Sequence, residues 1–67
     1  MSIFKFNQSA TIAALVDGIP ELFTFSEGQK IRGEIVNRCE ITGVTVIRRS
    51  TNDLFSLPTA KIERVTH

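Results

Sequence analysis

The segment Gly28-Gln29-Lys30-Ile31-Arg32-Gly33 lies between two runs that alternate as strands do. Before it, Phe23 and Phe25 point one way while Thr24 and Ser26 point the other. After it, Ile31, Gly33 and Ile35 share one face, and Lys30, Arg32 and Glu34 share the opposite one. A period of two marks a half-buried sheet. Gly28 stands where a tight turn needs a positive φ. Gly33 stands mid-strand, where a missing side chain lets the strand bend or another backbone come close. The reading is a hairpin whose second strand bends at a glycine, the device that curls a very small sheet into a barrel.

Outward from this segment, further strands are expected at Leu22 to Ser26, Gln29 to Arg38, Gly43 to Arg49, Leu54 to Leu57 and Ile62 to Thr66. Ser50-Thr51-Asn52-Asp53 has the chemistry of a hairpin tip. Pro58 ends the fourth of these strands, and a 3₁₀-like turn over Pro58 to Lys61 leads into the last. Ser2 to Phe6 alternates weakly, as a frayed strand or an arm. In Ala10 to Val16, the residues Ile12, Leu15 and Val16 have the i, i+3, i+4 spacing of a helix stripe, with Gly18 and Pro20 as stop signals. This predicts a short helix over about residues 9–17. A strand over Thr11 to Val16 competes with it, because Thr11, Ile12 and Val16 are β-branched. The expected fold is mainly β: one domain over residues 1–67, a small, strongly bent five-stranded barrel over about 21–66 with a short N-terminal helix.

A chain of 67 residues buries only about 60% of its unfolded surface. Such domains usually gain stability from disulfides, a metal or self-association. Cys39 is the only cysteine and His67 the only histidine, so neither an internal disulfide nor a structural zinc site is expected, which leaves self-association. One unpaired thiol suits the cytoplasm. Neither a signal peptide nor a membrane span is expected.

The formal net charge is +1, unevenly spread. Residues 1–29 carry Lys5 against Asp17, Glu21 and Glu27, a balance of −2. Residues 30–67 carry Lys30, Arg32, Arg38, Arg48, Arg49, Lys61 and Arg64 against Glu34, Glu40, Asp53 and Glu63, a balance of +3. Five of those seven cations are arginine, which suits phosphate contact and stacking better than lysine does. A solvated mixed-charge surface would look the same.

Catalysis is poorly supplied. There is no Tyr and no Trp, and Cys39 reads as a small apolar residue rather than the nucleophile of a dyad with His67. Glu34 and Glu40 read as solvated carboxylates. The segment from Gly28 to Gly33 lacks the Gly-Lys-Ser/Thr end of a phosphate loop. No cofactor or metal is expected, and the chain is not read as an enzyme. Phe23, Phe25 and Phe55 are assigned to the core, and Phe4 and Phe6 are left open.

The order helix, Ile19-Pro20, strand and Gly28-x-x-Ile31-x-Gly33-x-Ile35 resembles the Sm-like family, in particular its Hfq branch. The likeness runs from Ala10 to Val46 and more loosely from Leu57 to Val65. It implies a bent five-stranded sheet capped by a helix, protomers joined edge to edge in a ring of six or seven, and single-stranded RNA as ligand. By position, Ile41 would replace the base-stacking aromatic, with Arg38 and Glu40 beside it. Lys30 and Arg32 would lie towards the opposite face, Asn7 or Gln8 at the helix edge, and Lys61 would complete the RNA-contacting set. Cys39 replaces the usual Asp of the motif, and Thr59-Ala60 stands where the Hfq branch has a Lys-His pair.

A second resemblance links Gly33 to Val36 and Leu57 to Val65 with the SH3-like barrels of type II dihydrofolate reductases. Their Val-Gln-Ile-Tyr segment is replaced by Leu54-Phe55-Ser56-Leu57, so the reductase chemistry is not expected, and the SH3-like barrel stands as the runner-up fold. Two functions follow from the sequence: a non-enzymatic, ring-forming RNA-binding protein, or an SH3-like module that binds a protein partner. A small enzyme built at an oligomer pore would need convergent polar groups that the sequence does not offer.

Overall fold

A computed structural model describes residues 1–66 as an all-antiparallel β structure. Seven strands run in chain order: β1 (Ser2–Phe6), β2 (Ala10–Val16), β3 (Ile19–Phe25), β4 (Lys30–Cys39), β5 (Val44–Arg48), β6 (Asp53–Pro58) and β7 (Ile62–Thr66). A single 3₁₀ turn, Thr59–Lys61, links β6 to β7. The strands form one sheet in the order β3-β2-β6-β5-β4-β1-β7. β3 and β7 are its edges and do not pair with each other, so the sheet is curled but not closed.

The predominantly β reading holds, and the strands expected from Leu22 onward lie within a residue or a few of their observed bounds. The 3₁₀ turn and the polar tip at Ser50–Asp53 are also where the sequence puts them. The N-terminal helix is not there. Residues 10–16 form β2, with Ala10, Ile12 and Ala14 buried and Thr11, Ala13 and Leu15 exposed. Gly18 does not end a helix: Asp17 (φ 53°) and Gly18 (φ 76°) form the two-residue loop of a β2–β3 hairpin, with Val16 opposite Ile19 and Leu15 opposite Pro20. Two consecutive positive φ angles are what an Asp-Gly hairpin loop supplies, because that geometry matches the right-handed twist of the strands.

A second correction concerns the pairing around Gly28. Gly28 does take a positive φ of 88°, and the turn is tied by the Ser26 N–H donating to Gln29 Oε1 at 2.7 Å. The strands on either side are not a hairpin, however. β3 pairs with β2, while β4 pairs with β1 and β5. The turn carries the chain from one side of the curl to the other.

The core is one cluster drawn from β1 to β6: Phe4 and Phe6, Ile12, Phe25, Ile31, Ile47, Phe55 and Leu57, with the small Ala10 and Ala14 between them. Ile31 is buried at 4% exposure and Ile35 packs against the cluster, as the alternation requires. Gly33 is also buried, and a Cβ there would stand 3.0 Å from the Arg48 carbonyl oxygen and 3.0 Å from Ile47 Cδ1. Its role is close approach between β4 and β5. The register break in β4 comes slightly later, between Ile35 and Asn37, so that Val36 is the residue left over.

Candidate nucleic-acid interface

β4 begins where β3 ends and next to the tip that follows β5. At this junction Lys30, Arg32 and Arg49 line a cleft of about 430 Å³, with Phe25, Gln29 and Ile31 behind them. The alternation of β4 puts Lys30 and Arg32 on the solvent side of Ile31. Arg49 arrives from the β5–β6 tip, where its own N–H donates to Asp53 Oδ1 at 2.7 Å. Its guanidinium stands 4.8 Å from the centroid of the Phe55 ring, close enough for a cation–π contact that holds the charge in place. Among the described residues, no carboxylate lines the cleft.

The tip itself is fixed by Asp53, which accepts from the N–H groups of Arg49 and Ser50 and from the Ser50 hydroxyl. Partial burial pushes the Asp53 carboxyl up. The Ser50 and Arg49 hydrogen bonds, helped by the Arg49 charge, outweigh that and hold it below the usual carboxylate range.

The seven residues singled out in the sequence fall in four places. Lys30 and Arg32 meet in the cleft. Arg38 lies in a separate recess beside Thr45 and Arg64. Glu40 and Ile41 sit in the β4–β5 turn, where Ile41 is 97% exposed. Gln8, in the β1–β2 turn, and Lys61, at the end of the 3₁₀ turn, share a corner, because the Asn7 N–H donates to the Lys61 carbonyl at 2.9 Å.

Arg49 was missed in the sequence. The signal was present in the pair Arg48-Arg49 at a strand end, since neighbouring residues face opposite ways. Arg48 stands opposite Glu34 on the outer face, which leaves Arg49 to turn towards β3. Cys39 has its thiol held below the ordinary range by the Thr42 hydroxyl, with help from the backbone at Thr42 and Ile41 against slight desolvation. The pairing of Cys39 with His67 weighed in the sequence involves a residue outside those described. Among the described residues, no group of three or more His, Cys, Asp or Glu could hold a metal ion, and no helix is long and apolar enough to cross a membrane.

The outer face of β5, β6, β2 and β3 differs in character from the cleft. Register places Val46, Leu54, Ala13, Leu15, Pro20 and Leu22 on it, and Thr11, Thr24 and Ser56 complete its middle. None of these is charged, although charged residues make up 22% of the chain; Arg48 and Glu34 stand at the margin of this patch, on the β5 and β4 side. Leu22 is 75% exposed, and a shallow apolar groove of about 270 Å³ runs along Leu15, Pro20 and Leu54.

No family model, curated protein or solved structure matches this chain.

Proposed function

We propose that the chain is a non-enzymatic RNA-binding module that takes single-stranded RNA along the Lys30–Arg32–Arg49 cleft. The observation that carries this reading is the convergence of three cations, from two separate strand ends, on one cleft that no carboxylate of the described residues lines. A strand of RNA presents phosphates to such a groove and bases to planar groups beside it. Phe25 is buried against Phe6, so the planar groups on offer are the two guanidiniums. With the helix of the Sm-like order absent, the part of that resemblance left to support the same ligand is Gly28-x-x-Ile31-x-Gly33-x-Ile35, and it adds a cytoplasmic homo-oligomer, a ring of six or seven, as the working form.

The test is fluorescence anisotropy of labelled uridine-rich and adenine-rich single strands across a salt series. Replacing Lys30, Arg32 and Arg49 together by Gln is expected to weaken binding and to flatten the dependence of log K on log salt by about 2, since each phosphate contact on a single strand contributes about 0.7. Absence of binding at low salt, or an unchanged slope in the triple variant, would reject the reading.

A second reading, the SH3-like interaction module, is favoured by the uncharged patch that β2, β3 and β6 present on the outer face. Here the partner is a second copy of this chain, because that patch carries no charge to repel its own copy, Arg48 and Glu34 lying at its margin. The sheet edge at β3 is less suited: Pro20 has no N–H to give, and Glu21 falls on the core side opposite Ala14, two features that oppose edge pairing. Light scattering decides. Leu22→Arg is expected to turn a dimer into a monomer while RNA binding persists; a wild-type monomer at high concentration removes this reading.

A further inference from the structure

A second recess, sharing no residue with the cleft, is bounded by β1, β4, β5 and β7. It measures about 90 Å³, room for one tetrahedral oxyanion and too little for a base. Two arginines stand at it, Arg38 from β4 and Arg64 from β7, over an apolar wall that includes Phe4 and Ile35. The Arg64 guanidinium lies 5.8 Å from the centroid of the Phe4 ring, which keeps that charge at the recess wall. Among the described residues, no carboxylate lines this recess either.

Its polar centre is a pair of threonines. Thr45 is 2% exposed and is the one polar residue among the buried side chains of the described chain. Its Oγ1 lies 2.7 Å from Oγ1 of Thr59, and either hydroxyl could be the donor. Each hydroxyl has one proton. Only one proton can lie in the bond between them, so the accepting threonine keeps a proton to donate elsewhere. A valine at position 45 would fill the same space opposite Leu57 with no hydroxyl to bury and satisfy. The site therefore combines two positive charges, a spare O–H donor and dimensions that suit a compact anion.

We infer that this recess seats a single phosphate-like oxyanion, flanked by Arg38 and Arg64 and receiving the spare hydroxyl proton of the Thr45–Thr59 pair. The anion is either free inorganic phosphate or the 5′-terminal phosphate of a nucleic-acid strand. The inference stands apart from the RNA reading of the cleft, because the two sites have no residue in common.

The experiment follows backbone amide shifts of the full chain during titration with inorganic phosphate, against chloride at matched ionic strength. Saturable shifts are expected at Arg38, Thr45, Thr59 and Arg64. Arg38→Gln, and Thr45→Val combined with Thr59→Val so that neither hydroxyl remains, should each weaken phosphate binding about tenfold, the value of one charge-assisted hydrogen bond. Arg38 is exposed, so its replacement leaves folding intact and keeps the test decisive should the double threonine variant destabilise the chain. No saturable shifts at these four residues, equal shifts with chloride, or affinity unchanged in Arg38→Gln would overturn the inference. Strands carrying a 5′-phosphate or a 5′-hydroxyl then distinguish the sources. A preference for the phosphorylated strand that Arg38→Gln abolishes assigns the seat to a strand end, and equal binding of both strands assigns it to the free anion.

Discussion

Phe6 and Phe25 stack ring on ring, with centroids 4.5 Å apart and planes 6° apart, although their strands are not neighbours in the sheet. β1 lies between β4 and β7, and β3 lies at the far edge beside β2. The contact closes the curl with side chains where no backbone ladder does. Two bonds support it from the turn before β4: the Phe6 N–H donates to the Gln29 carbonyl at 2.8 Å, and the Gly28 N–H donates to the Phe6 carbonyl at 2.7 Å.

Stability should therefore be coupled between these two rings. A double-mutant cycle with Phe6→Leu and Phe25→Leu, read by urea denaturation, is expected to give a coupling energy of about 1 kcal/mol. Additive losses would mean that the stack is incidental to the curl. Leucine is the substitution of choice, because Phe6→Ala would cost about 3–5 kcal/mol, comparable to the whole stability of a domain this small.

Gly33→Ala places a methyl group 3.0 Å from the Arg48 carbonyl oxygen, a backbone atom held in the β4–β5 ladder. The expected cost is about 1–3 kcal/mol, as for other overpacked interiors. Denaturant midpoints would show it, and a variant as stable as the parent would contradict the packing of β4 on β5 described here.

Gly18→Ala tests the hairpin. With φ at 76° and nothing within 4 Å of an added Cβ, the loss comes from backbone strain alone, about 1–2 kcal/mol. Asp17→Gly relieves a positive φ of 53° and should be nearly neutral. Were residues 10–16 a helix ending at Gly18, Asp17→Gly would instead weaken its last turn, so the pair of variants separates the two structures.

The Asp53 carboxyl gives the tip a pH dependence with a definite sign. Its folded pKa is lowered, so its contribution is complete above the ordinary carboxyl value of about 3.9 and is lost as pH falls through the folded value. Asp53→Ala should cost about 1 kcal/mol at neutral pH, a modest figure because the tip is solvated. The gap between parent and variant should narrow below about pH 4. A gap that stays constant from pH 7 to pH 3 would show that the carboxylate charge is not what holds the tip.

Much of the fold could be read locally. The alternation around Ile31, the proline-led 3₁₀ turn and the Ser50–Asp53 tip each depend on residues close in sequence, and each is found as expected. The reading failed over Ala10 to Val16, where two periodicities compete. Leu15, the larger apolar residue, is exposed, while Ala10 and Ala14 are buried. Small side chains face inward there because Phe6, Phe25 and Phe55 already occupy the interior. Alanine weighs little in a hydrophobic pattern, so the helical spacing of Ile12, Leu15 and Val16 stood out instead. Asp17-Gly18 was the stronger signal, and it belonged to a hairpin.

The candidate site divides in the same way. Lys30 and Arg32 were legible because alternation within one strand assigns their face. Arg49 was not, because its place in the cleft depends on how the β5–β6 tip meets the end of β3.

By itself the sequence determined that this chain builds short antiparallel strands, where they turn, and which side of β4 meets water. Each of those is a matter of side chains one or two positions apart. Only the tertiary structure decided that residues 2–6 and 10–16 join the sheet, that the turn at Gly28 crosses the curl instead of closing a hairpin, and that Arg38 and Arg64 share a recess with a buried threonine pair. Apart from the Asp17-Gly18 loop, which is local, those outcomes rest on contacts between residues tens of positions apart, whose energies come from packing and have no local signature.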